Sequence, residues 1–439
     1  MVVRISCFDS YTGMDFTKEK RFVVVLLILI QGFFIYPQLK LSKAAFFDSL
    51  IREQLKNYPE IKVNPAKYRL QIIYTRINRD KKNVPSFTHF GYRAVNPNYF
   101  YCASLVKLPC SILALEKVNQ LKEYGVDMNS PLLIDSVNSC QRKWYLDGTS
   151  ENGLPSVAQY IRRMLLVSDN HSYSRIYEFL TNNYFHSRMK ELGFPKARLV
   201  VRFDGLCSGE NHFVSNPFYF IDLNGKVIYE KESTHSKNVL PVSNKPLIVG
   251  KAMLDSEGKK LKRGKDFSKT NYLELMDVHQ VLKNLIFLPY LPVGKKKYNL
   301  SGVQRDFLLE HLGMWPRESR FPKYDSVEYK DSHKKYLIYG AAESRIHEDS
   351  IRIFNIVGQA YGFVSDCAYI VDQENGLEFM LSAVLYTNQD GIINDGVYEC
   401  QSLGLPFLED LGKLFYSYEK KRAKKNKADL SEFNFDFKN

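Results

Sequence analysis

Five serines in this chain are followed three residues later by a lysine: Ser104, Ser187, Ser256, Ser332 and Ser417. A serine hydroxyl becomes a nucleophile when a neighbouring base takes its proton, and a neutral lysine amine can be that base. Spacing of i, i+3 puts both side chains on one helix face, within hydrogen-bond reach. Context separates the five. Ser256, Ser332 and Ser417 lie in charged or loop-like stretches, and Ser187 is followed by a loop bearing Gly193 and Pro195. Only Ser104 opens an apolar helix, in Tyr99-Phe100-Tyr101-Cys102-Ala103-Ser104-Leu105-Val106-Lys107-Leu108-Pro109. There the apolar flanks disfavour the Lys107 ammonium, which leaves an amine able to act as base. The Ser104 amide at the helix start is free to face a developing oxyanion.

A second constellation is Ser168-Asp169-Asn170, the one Ser-Asp-Asn triplet in the chain, at the junction of two expected helices. Its plain reading is a helix N-cap. The chemical reading gives Ser168 the task of passing a proton to a leaving amine, with Asn170 holding the substrate amide and the lysine.

These residues need a scaffold. Residues 45–57 have the period of an amphipathic helix, and 68–75 and 86–92 read as two strands around a polar turn. A helix is expected over 105–124, with more at 155–166, 171–182, 272–288 and 301–313. Strands are expected at 350–357, 362–372 and 377–387, the last two joined through Asn375-Gly376, and a final helix at 406–420. Strands, then helices, then strands and a helix make an α+β layout in which both chain ends build one antiparallel sheet packed with helices. A hairpin around Asn224-Gly225 and the charged stretches 256–265 and 316–336 read as insertions that lengthen the chain without touching its core.

With Ser104/Lys107 and Ser168-Asp169-Asn170 in this order and context, the chain resembles the class A β-lactamase family of penicillin-recognising serine hydrolases over roughly residues 45–415. The resemblance implies a sheet layer, an inserted helical domain and a cleft between them. It also implies an acyl-enzyme on Ser104, with the Ser104 and Gln359 amides as oxyanion donors and Gly358 lining the substrate strand. Two departures stand out. Where the family carries Lys-Ser/Thr-Gly, this chain has Ile356-Val357-Gly358, without the cation and hydroxyl that clamp a substrate carboxylate. The loop that supplies the family's deacylating glutamate reads Arg202-Phe203-Asp204-Gly205-Leu206-Cys207-Ser208-Gly209-Glu210-Asn211, and ends at Asn216-Pro217. Alignment from its start puts Cys207 at the glutamate position. Glu210 is the nearest carboxylate, either a deacylation base or an ion-pair partner near the loop's end. The expected activity is therefore acyl-enzyme formation with a β-lactam or peptidoglycan-like peptide, with slow turnover. The alternative is a non-catalytic envelope-binding protein on the same fold. No metal or organic cofactor is implied.

The rest of the chain bears on location and partners. Lys18, Lys20 and Arg21 precede an apolar run over residues 22–36, short for a membrane span and fitting a signal-peptide core, with Met14 as the more usual start. Cleavage after Ala44 would release a folded part from residue 45; an uncleaved run would anchor it to the membrane, and a buried core helix is the third reading. The expected destination is the periplasm or cell envelope. Of the formal +13 charge, six positive residues sit between Lys420 and Lys427. Residues 419–439 therefore read as a basic, flexible tail rather than a nucleic-acid surface. The seven cysteines include no CxxC pair, and their pairing cannot be read from spacing.

Overall fold

Three apolar runs near the C-terminus fold as ten-residue antiparallel strands, and the two N-terminal runs complete their sheet. A computed structural model describes residues 39–95, 97–236, 243, 245–294, 297–340 and 350–437. The apolar run at 22–36 and the Met14 start lie outside the described residues. The sheet strands are β1 (Leu41–Ser42), β2 (Gln71–Arg79), β3 (Pro85–Tyr92), β4 (Ile351–Ala360), β5 (Phe363–Asp372) and β6 (Leu377–Tyr386). The main helices are α1 (Ala45–Gln54), α2 (Lys107–Gln120), α3 (Val157–Val167), α4 (Asn170–Leu180), α5 (Asn182–Glu191), α6 (Leu275–Ile286), α7 (Gly302–Gly313) and α8 (Leu405–Lys421). The strand order is β1-β3-β2-β6-β5-β4. All neighbours are antiparallel except β1 and β3. Both chain ends thus build one sheet, as the α+β reading expects.

Each face of the sheet is covered. Ile351 and Ile353 join the apolar cluster beneath α1 and α8, while Phe354 and Ile356 join the cluster shared with α2, α3, α6 and α7. This is the two-residue alternation of a strand. Both faces of β5 and β6 are buried along their whole length, so their sequences are largely apolar, with Ser365, Asp366, Asp372, Glu378 and Ser382 as polar exceptions. The hairpin around Gly225 forms, and its strands Phe218–Ile221 and Val227–Lys231 join Leu132–Ile134 in a small second sheet. Gly225 takes φ +81° there, as its turn requires.

Three boundaries differ from expectation. First, ordered structure begins before residue 45: Leu41 and Ser42 pair with His89 and Phe90, and Ala44 precedes α1. Cleavage after Ala44 would remove an edge strand. Second, residues 419–439 are not a free tail. Arg422 bonds to the Ile77 carbonyl at 3.0 Å and Asn78 at 2.7 Å, and Asn426 donates to the Arg79 carbonyl at 2.8 Å. Leu430 and Phe433 are buried, and the Phe433 ring lies 5.0 Å from that of Tyr369. Apolar anchors after the basic run outweigh its solvation. Third, the stretch 316–336 is no external insertion. Lys335 is buried, and its Nζ donates to the Leu312 and Ile353 carbonyls and, at 2.9 Å, to Asn355 Oδ1 on β4.

Candidate active site

Local sequence sets the position of Ser104. The chain enters α2 through a short 3₁₀ turn, Ala103–Val106. Ala103 holds φ at +44°, a left-handed conformation that costs a non-glycine residue about 1 kcal/mol or more and persists only where packing enforces it. Packing does so here: Cys102, Ala103, Leu105 and Val106 are all buried. Ser104 itself is half-buried, and its hydroxyl makes no hydrogen bond among the described residues.

Lys107, one turn on, is completely buried. Its Nζ donates to Ser168 Oγ at 2.8 Å, to Asn170 Oδ1 at 2.8 Å and to the Ser168 carbonyl. Burial pushes this amine down to about 7, against opposing pulls from Asp169 and Cys110. A substantial fraction is therefore neutral at neutral pH. The Tyr173 and Phe203 rings, themselves stacked at 4.3 Å, flank the amine at 5.9 and 5.6 Å. The i, i+3 spacing thus brings Ser104 and Lys107 together along one turn, but the hydrogen bonds of Lys107 go to the triplet.

The triplet divides its work. Ser168 ends α3 at φ +56°, in the left-handed region. Asp169 is the N-cap of α4: its carboxylate accepts from the Ser172 amide at 2.9 Å and the Ser172 hydroxyl at 2.6 Å. It also pairs with Arg163 at 3.0 Å. Burial would raise the Asp169 carboxyl, yet Arg163 and Ser172 together hold it below its ordinary value. The plain N-cap reading is therefore right for Asp169. The side chains on either side of it turn to Lys107, so capping and the proposed chemistry coexist in three residues.

Strand β4 closes on the same turn. A Cβ at Gly358 would lie 2.7 Å from the Cys102 carbonyl oxygen and 2.8 Å from Ser365 Oγ, so only glycine permits this approach. Gln359, next along, accepts from the Tyr336 hydroxyl through Oε1 at 3.0 Å. Ile356 is buried in the helical-side cluster.

Residues 78–237 match the family model of the β-lactamase enzyme family. This stretch contains Ser104, Lys107, the triplet and the loop over 202–217, and ends before β4. No curated protein matches the chain. Among solved structures, a β-lactamase from Sphaerobacter thermophilus is similar at 10% identity, covering 85% of this chain and 98% of its own, with a TM-score of 0.45. One from Desulfarculus baarsii is similar at 12% identity, covering 87% and 100%, with a TM-score of 0.43. An ancestral class A β-lactamase is similar at 12% identity, covering 83% and 99%, with a TM-score of 0.43.

Within the matched segment, the loop after α5 is held by groups that sequence reasoning did not single out. Glu178 on α4 pairs with Arg202 at 2.7 Å and accepts from the Asn216 amide at 2.7 Å, tying the loop's two ends to one buried carboxylate. Arg202 donates in turn to the Asn211 and Val214 carbonyls. Cys207 is bonded to Cys140 in a disulfide across 67 residues. Arg202 and Asn216 were visible as loop ends; Glu178 carried no signal beyond being an acidic residue on a helix. Glu210 is exposed on the turn Gly209–Phe213 and has no ion pair or hydrogen bond among the described residues. No group of three or more His, Cys, Asp or Glu that could hold a metal occurs among the described residues.

Proposed function

We propose that this protein is a serine hydrolase that forms an acyl-enzyme on Ser104 with a β-lactam or cell-wall-like amide and releases it slowly. The observation that carries this reading is the Lys107 amine, buried, lowered to about 7 and held between Ser168 Oγ and Asn170 Oδ1. In the neutral form it takes the Ser104 proton as Oγ attacks the carbonyl. The proton moves through Lys107 and Ser168 to the leaving nitrogen, while the Ser104 and Gln359 amides face the oxyanion. Slow release follows from the loop. A water-activating base is expected there, yet Cys207 is consumed in a disulfide and Glu210 is exposed. Export to the periplasm or envelope fits that disulfide, since such bonds persist in oxidising compartments. The same loop, with Ile356, favours the second reading, a non-catalytic envelope-binding protein. Mass spectrometry after incubation with benzylpenicillin separates the two. A persistent adduct mapped to Ser104 supports the enzyme, and an unmodified protein supports the binder.

A further inference from the structure

Position 356 on β4 carries no cation, and the stretch before β4 brings one to its neighbourhood. Residues 333–336 run between the Ser168 corner and β4. On one side, His333 shares a hydrogen bond with the Val167 backbone, next to Ser168. On the other, three successive residues are tied to β4. The Lys334 carbonyl accepts from Asn355 Nδ2 at 2.7 Å, Lys335 Nζ reaches the Ile353 carbonyl at 2.8 Å, and the Tyr336 hydroxyl donates to Gln359. These contacts bracket position 356. Lys334 sits in their middle with φ at +66°, a conformation unusual for lysine and fixed by its neighbours on both sides.

Among the described residues two buried side-chain atoms of this stretch are left without a hydrogen-bond partner, His333 Nε2 and the Lys334 amine, and Lys334 is the one that can carry a full positive charge against a carboxylate. Its Nζ is buried and has no hydrogen-bond partner among the described residues, whereas Lys335 beside it has three acceptors. Burial and the Lys107 charge push the Lys334 amine well below its ordinary value, with Asp169 opposing and Lys335 adding to the fall. Lys334 therefore shares the electrostatic environment of Lys107 and Asp169, although it lies far from them in sequence. A buried, unpaired amine is costly unless a partner arrives. An incoming carboxylate supplies both a counter-charge and acceptors.

We propose that Lys334 replaces the cation missing at position 356 and clamps the carboxylate of the substrate, so that this site selects acyl donors carrying a free carboxylate. The proposal rests on the placement of the substrate beside Ser104, and its test does not require Ser104 to react. In the full chain carrying Ser104→Ala, equilibrium binding of benzylpenicillin and of its methyl ester is measured by calorimetry. The acid binds at least about tenfold tighter than the ester, the size of one charge-assisted hydrogen bond. Lys334→Met brings the ratio to about one, and Lys334→Arg retains part of the preference. Equal binding of acid and ester, no binding of the acid, or a preference that survives Lys334→Met overturns the assignment. In parallel, a fluorophosphonate, which carries no carboxylate, is reacted with the parent and with Lys334→Met. Equal labelling of both shows that Lys334 does not act through Lys107. Lost labelling in Lys334→Met alone overturns the clamp in favour of a role in activating Ser104. A parent that resists the fluorophosphonate but prefers the acid refutes the nucleophile while leaving the clamp standing.

Discussion

The two sides of the Ser104 turn are built on different principles. On the helical side, Lys107, Ser168, Asp169 and Asn170 are joined by short polar contacts, and each buried polar group named there has a partner. On the sheet side, position 356 is apolar core and Gly358 is pressed against the Ser104 turn, while the loop over 202–217, anchored to Glu178 on α4, is stapled by a disulfide. In the proposed mechanism the helical side supplies what bond-making at Ser104 needs: a lysine amine lowered to about 7 and a path to Ser168 Oγ. What the sheet side and the loop lack serves the later steps, substrate clamping and water activation. Covalent and apolar constraint prevails there, and Lys334 is the cation that the proposed clamp uses.

The largest effect expected from this contrast is at Ser104. Ser104→Ala abolishes acylation by a fluorescent penicillin, read as loss of the labelled band, and equal labelling of parent and variant would move the nucleophile elsewhere. Lys107→Arg comes next. A guanidinium stays protonated at any working pH, so acylation falls by about 10²–10⁴-fold, the usual worth of a general base. The pH profile of the parent sharpens this. The reactive form is the neutral amine and its pKa is lowered to about 7, so the acylation rate rises with pH up to about 7 and levels off above it. A profile flat from pH 5 to 9 would exclude Lys107 as the base.

The stapled loop gives a stability prediction. Cys140 and Cys207 close a wide loop, and replacing both by alanine costs about 2–5 kcal/mol of unfolding free energy, measured by denaturant titration. Acylation of Ser104 in the folded variant changes far less, because the polar partners of Lys107 come from α3 and α4. A collapse of acylation with unchanged stability would mean that the loop, through Phe203 against Lys107, shapes the base itself.

The same contrast governs what could be read from sequence. The helical side was legible because its chemistry is local: Ser104 and Lys107 share one turn, and the triplet is contiguous. The core strands were legible because burial on both faces leaves long, mostly apolar runs rich in β-branched and aromatic residues. The loop contacts and the features beside β4 were not, because they join distant segments. Nothing in the sequence near Cys207 points to Cys140, or near Glu178 to Asn216. The 333–336 stretch reads as charged loop because lysine is normally a surface residue. Its burial depends on tertiary acceptors that β4 and α7 supply. The C-terminal residues misled for the opposite reason: six cations hid the apolar anchors Leu430 and Phe433.

The smallest effect, and the one that discriminates most finely, is at position 356. Ile356 is buried in the helical-side cluster, so Ile356→Lys first costs stability, and its thermal midpoint is measured before any kinetics. In a site without a cation, the new ammonium would lower the apparent KM for a chromogenic cephalosporin by about tenfold or more, the gain of one charge-assisted hydrogen bond. With Lys334 already present, a second cation adds like-charge repulsion along with a duplicate contact. The KM of Ile356→Lys then stays within about threefold of the parent. In the Lys334→Met background, the same substitution recovers most of the lost binding. Acyl release, followed by mass, is unchanged in every variant, because the cation binds the substrate carboxylate and not the attacking water. A large gain in the parent background would show that the sheet side lacks positive charge and that Lys334 does not clamp. Faster acyl release in Ile356→Lys would show instead that the two sides share one proton network.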